Sequence, residues 1–139
     1  MKRLALVVTL LATSALAQEE PVTGDDQPEF TESDGAQLRF LDKLTSATGD
    51  VELSLGQSAK FGRLIVQLNH CRYLTANPSA DSQAHLTIVD ETTGAVNFSG
   101  WMLASAPALS ALDHPRYDVW VLTCVLPESA EATSEGEGE

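Results

Sequence analysis

Between Gly35 and Leu126 the apolar residues recur with a period of two, the spacing of strands that lay one face on a core. "DVELSL" alternates cleanly, with Val51, Leu53 and Leu55 on one side and Glu52 and Ser54 on the other. "AQLRFLDKLT" ahead of it reads as a partner strand, joined through "SATG" (Ser46 to Gly49) as a hairpin loop. "FGRLIVQLNHCRY" predicts a third, long strand with Leu64, Val66 and Leu68 facing one way; Cys71 has the opposite parity, which asks for a bulge near Asn69. Turn formers fill "TANPSADSQ", and "AHLTIVDE", "TTG" and "AVNFSGWML" make a second hairpin. "YDVWVLTCV" is apolar on both parities and reads as a central strand covered on both sides.

Between the last two strands, "SAPALSALDHP" has helical logic. Ser105 suits a cap, Pro107 a first turn, Leu109 and Leu112 one face, and Pro115 a stop. Such a turn would plug one end of the sheet with two leucines. The expected fold is all-β: a small single-domain sandwich or partly open barrel of about six to seven mostly antiparallel strands with one short helical turn.

Outside this block the pattern changes. The chain opens "MKRLALVVTLLATSALAQEE": Lys2 and Arg3, an apolar run from Leu4 to Leu11, then small residues at Ala15 to Ala17. That order is a signal peptide, 1–17, cleaved after Ala17, and it implies an exported, periplasmic protein. The apolar run is short for a membrane span, and no other segment is left to serve as one. Loss of Lys2 and Arg3 deepens the formal net charge of −12 by two.

That charge is uneven. Gln18 to Asp34 holds seven acids and no base, and Pro127 onward five more and no base, whereas Gly35 to Leu126 has eight acids against six bases. The expected organisation is therefore an acidic disordered segment 18–35, a β domain 36–126 and an acidic disordered tail 127–139. The tails solvate the domain; neither has the ligand spacing of a calcium loop. Six scattered bases give no footprint for nucleic acid.

Two cysteines, Cys71 and Cys124, in an exported domain read first as a disulfide, closing a loop of 53 residues that is worth roughly 4 kcal/mol. The rival is a metal-handling site that adds His70, His85 or His114 to the thiols, with His70 the first choice, but no CxxC or HxxxH pair supports it, and no cofactor is expected. "LDHPRYD" sets Asp113, His114 and Asp118 close together, with Ser105 and Ser110 nearby. A hydrolase centred on His114 and Asp118 would need a nucleophile in reach and an oxyanion hole, and there is no G-x-S-x-G elbow. The expectation is that the protein is not an enzyme.

The runs "FSGWMLASAPALSALDHPRYDVWVLTC" and "LRFLDKLTSATGDVELSLGQSAKFGRLIVQLNHCRY" resemble the alphaproteobacterial secreted domain-of-unknown-function family 2155, over about Gln37 to Val125. The resemblance implies an envelope setting and a paired Cys71 and Cys124, and it brings no catalytic residues. The sequence therefore supports a non-catalytic envelope accessory, a protein-binding or scaffold module. Its expected surface comprises Trp101, Leu109, Leu112, His114, Arg116 and Tyr117, facing an envelope protein partner.

Overall fold

The computed structural model describes residues 27–127. The expected signal peptide, half of the expected acidic N-terminal segment (18–26) and nearly all of the expected acidic tail lie outside the described residues. Eight strands follow in order: β1 (Phe30–Ser33), β2 (Gly35–Asp42), β3 (Ala47–Ser54), β4 (Ser58–Phe61), β5 (Leu64–Leu74), β6 (Ser82–Asp90), β7 (Val96–Leu103) and β8 (Tyr117–Cys124), with a 3-10 turn at Pro107–Leu109. All pair antiparallel, in two sheets. The larger runs β1-β5-β6-β7 with β4 also on β5, and the smaller runs β3-β2-β8. The two sheets sandwich Ala36, Leu38, Phe40, Leu64, Val66, Leu68, Leu86, Ile88, Met102, Val119 and Val121, all 5% exposed or less. Each such side chain contributes about 1.5–3 kcal/mol when fully buried, alanine less. The expected all-β sandwich is what forms.

Three bulges set which side chains reach that core. In β5 Asn69 is the extra residue between the pairs Leu68↔Leu86 and His70↔His85. An extra residue reverses the alternation, so Cys71 and Tyr73 turn inward after Leu64, Val66 and Leu68. In β8 Leu122 plays the same part between Val121 and Thr123, and it turns Cys124 inward after Val119 and Val121. A third sits at Asn97 in β7. The two cysteines thus meet between the sheets, two residues after a bulge each, and are joined as a disulfide with Cα atoms 5.7 Å apart. The bulge at Asn69 is where the parity of Cys71 put it.

Other boundaries differ from expectation. The β2–β3 loop is Lys43 to Ser46, so Ala47, Thr48 and Gly49 already pair with β2. The carboxylate of Asp42, which accepts the Leu44 N–H at 3.0 Å, builds that turn. "FGRLIVQLNHCRY" is two strands, because Gly62 at φ 55 makes a two-residue turn with Arg63 between Phe61 and Leu64. β1 lies within the segment expected to be disordered. Backbone pairing to β5 holds it, with Ser33 Oγ–H donating to the carbonyls of Gly35 and Val125.

β8 is an edge strand of the small sheet, not a central one. Its second apolar row is only half-buried, and Trp120 in it borders Pro107, Ala108 and Ala111. The helical plug is also smaller than expected. The 3-10 turn spans three residues, Ala106 precedes it without a side-chain cap, and the Ser105 N–H instead donates to Asp81. Leu112 is buried at 4% exposure while Leu109 is 78% exposed, because so short a turn gives them no common face.

Candidate functional site

The parity reversal at Asn69 has a second consequence, on the outer face of the large sheet. Residues that turn away from the core there include His70 and Arg72 on β5, His85 and Thr87 on β6, and Trp101 on β7. Register then gathers them, since His70 pairs with His85 and His85 with Trp101. The Trp101 indole lies 5.4 Å edge-on from the His85 ring and 6.2 Å, nearly parallel, from that of His70. Asn69, the bulged residue, donates its amide N–H to Nδ1 of His85 at 3.0 Å and to Oγ1 of Thr87 at 2.8 Å.

Arg72 is the centre of this face. Its guanidinium carbon is 4.3 Å from the Trp101 ring centroid and 4.5 Å from that of Phe30 on β1, both within cation–π range. Its Nε and Nη2 donate to Oε1 of Gln83 at 3.0 and 2.9 Å. Two aromatic contacts and a two-point hydrogen bond fix the plane of a side chain that is ordinarily loose. Leu74 and Leu103 share the face, opposite Phe30 and Gln83 in the register. The result is a cation held among rings and aliphatic side chains on a half-buried platform.

The structure divides the residues expected from sequence. Trp101 is half-buried on this platform, whereas Leu112, His114 and Tyr117 are 4%, 7% and 3% exposed. Tyr117 sits in an aromatic cluster with Phe61 and His114, and Phe61 stacks on Phe40 at 4.7 Å. Arg116 gives Nε and Nη2 to the buried Asp42, with Nη2 to Oδ2 at 2.8 Å, and so ties the last loop to the first hairpin. These residues hold the fold together; Leu109 is exposed, and so is Arg116, whose guanidinium is spent on Asp42. Arg72, His70 and His85 were missed as partners of Trp101. Their signal was the same parity argument carried two residues further, with the register counted back from the "TTG" turn.

His114 has a structural task. Its Nδ1 accepts the backbone N–H of Arg116 at 3.1 Å and of Tyr117 at 3.0 Å, which shapes the turn after Pro115. Asp118 points to the far side of β8, into a depression of about 250 Å3 with Trp120 and Pro107, lined by neither His114 nor a serine. The thiols of the proposed metal site are joined in the disulfide, and no group of three His, Cys, Asp or Glu among the described residues is placed to hold a metal ion.

No solved structure matches the chain. It is 25% identical over 99 residues to the uncharacterized protein RP359 of Rickettsia prowazekii (strain Madrid E), a match covering 69% of this chain and 64% of that protein's length. The profile of DUF2155, described as an uncharacterized protein conserved in bacteria, matches residues 36–124, from the start of the core in β2 to the disulfide cysteine that ends β8. The chain belongs to the DUF2155 family.

Proposed function

We propose that this protein is an exported, non-catalytic binding module of the cell envelope, and that it engages a protein partner through the outer face of its large sheet. The observation that carries this reading is the platform of Trp101, Arg72, Phe30, His70 and His85, aromatic and cationic groups held in fixed geometry and open to solvent on one side. Tryptophan and arginine are the residue types on which binding energy concentrates at interfaces. The signal-like residues 1–17 and a disulfide, a bond that persists in oxidising compartments, support export. His114, the one histidine of the candidate catalytic run, spends its Nδ1 lone pair on two backbone amides, which favours binding over chemistry.

A photo-cross-linker at Ser99, exposed beside Trp101 on β7, tests this against one at Thr48 on the small sheet. Adducts are expected from Ser99 alone, suppressed by excess unlabelled wild-type protein but not by Trp101→Ala. Equal adducts from both positions, or equal suppression by both competitors, would overturn the reading.

A further inference from the structure

Among the described residues, the arginines are treated in two ways. Arg39 presents its Nε–Nη2 edge to Asp50 at 2.7 and 2.8 Å, and Arg116 presents the same edge to Asp42. Arg63 and Lys60 also pair, with Asp90 and Glu91. Arg72 offers that edge to Oε1 of Gln83, a neutral amide. The chain has 20 carboxylates for 8 Lys and Arg, so a carboxylate is the statistical default for a partner. Glu32 even stands opposite Arg72 in the register, yet takes no hydrogen bond from it. Gln83 thus orients the guanidinium without cancelling its charge.

Resting on the binding role of this face, we infer that Arg72 is the receptor for a carboxylate of a polypeptide partner. A guanidinium has five N–H donors, of which Gln83 occupies two on one edge. The free edge, formed by Nη1 and Nη2, matches the two oxygens of a carboxylate. Phe30 and Trp101 hold the plane of that fork in advance, which lowers the ordering cost of binding. The charge count selects a monoanion, because Arg72 is the sole Lys or Arg on β1, β5, β6 and β7. The surroundings select a polypeptide, because Phe30, Leu74, Trp101 and Leu103 offer apolar contact to the side chain that accompanies the carboxylate. Chain-terminal and Asp or Glu carboxylates share this chemistry.

The test uses the full chain carrying Trp120→Phe, so that Trp101 is the single indole. Its emission and the Arg72 Nε–H resonance are followed at pH 7.5 during titration with four probes: N-acetylphenylalanine, its neutral amide, acetyl-aspartyl-phenylalanine amide and inorganic phosphate. At least one acid is expected to saturate both signals and the neutral amide neither; whichever acid binds more tightly identifies the source. Gln83→Glu, which neutralises Arg72 in place, and Arg72→Gln are each expected to weaken the acids by at least about tenfold. Equal binding of acid and amide, tighter binding of phosphate than of either acid, or unchanged binding in Gln83→Glu with native thermal unfolding would overturn the inference. If both acids fail while the Ser99 adducts persist, the carboxylate assignment falls alone. If the adducts are absent as well, the binding face falls with it.

Discussion

At the scale of single residues, two glycines with positive φ separate backbone strain from close packing. Gly62 has φ +55, and a Cβ built on it would lie 2.3 Å from the Tyr117 hydroxyl and 2.4 Å from its ring carbon Cζ. Gly94 has φ +70 and nothing within 4 Å. Gly94→Ala is therefore expected to cost only the left-handed strain, about 1–2 kcal/mol. Gly62→Ala adds overpacking against a buried ring, for a total of about 2–5 kcal/mol. Urea unfolding of the two variants would check the ordering, and equal losses would show that Tyr117 moves aside freely. The leucines of the last loop make a second pair. Leu112→Ala is expected to destabilise by about 2–5 kcal/mol and Leu109→Ala, at 78% exposure, by about 0.5 kcal/mol or less. Sequence spacing treated these leucines alike, because periodicity registers separation along the chain and not the length of the helix that must carry it.

At the scale of elements, the bulges decide both where the disulfide forms and what the outer face displays. Were Asn69 paired as an ordinary strand residue, with no bulge, the alternation from Leu64 onward would turn Cys71 outward and His70 and Arg72 inward. Deletion of Asn69 makes Leu68↔Leu86 and His70↔His85 adjacent pairs and is expected to keep Cys71 inward and the disulfide formed. Deletion of Asn69 together with His70 reverses the parity and is expected to yield two reactive thiols, by thiol titration of unfolded protein, together with loss of the Trp101–Arg72 contact. A double-deletion variant that still formed the Cys71–Cys124 bond and melted like the wild type would refute the parity account. Removing both sulfurs by Cys71→Ser with Cys124→Ser leaves the bulges in place and is expected to cost roughly 4 kcal/mol for the 53-residue loop.

The strands on either side of these bulges were legible in sequence because one face of each is buried. β1 was not, because only Ser33 of its four residues is buried and its sequence, "FTES", shows no apolar alternation. Its stability comes from backbone pairing to β5, which leaves no pattern in side chains. β8 misled for the opposite reason, since Trp120 is apolar yet lies on the outer row of an edge strand.

For the whole molecule, acid stability follows from carboxylates that the fold uses. The guanidinium of Arg116, with the N–H groups of Leu44 and Thr45, holds Asp42 below the ordinary carboxylate range against the opposing effect of burial. For Asp90 burial is the largest single influence and pushes upward, but the N–H groups of Thr93 and Thr92 and the charge of Arg63 together bring it below that range. Arg39 lowers Asp50 likewise. A group with a depressed folded pKa binds fewer protons folded than unfolded, so its stabilisation is present above the unfolded value, about 3.9, and is lost as pH falls through the folded one.

A second effect has the opposite sign. Twelve of the 20 acids lie in residues 18–34 and 127–139, and protonating them relieves like-charge repulsion in a chain of net charge −12. Those charges are screened over about 8–10 Å at ordinary ionic strength, whereas the Asp42–Arg116 contact at 2.8 Å is not. The local effect should win. The melting temperature is expected to hold between pH 7 and about pH 5 and to fall steadily below about pH 4. Asp42→Asn lowers the plateau and flattens the decline, since part of the proton uptake on unfolding has been removed. Melts at physiological salt from pH 7 to pH 2 would measure both slopes. A wild-type melting temperature that rose below pH 4 would mean that repulsion between the acidic segments outweighs the ion pair that ties the last loop to the first hairpin.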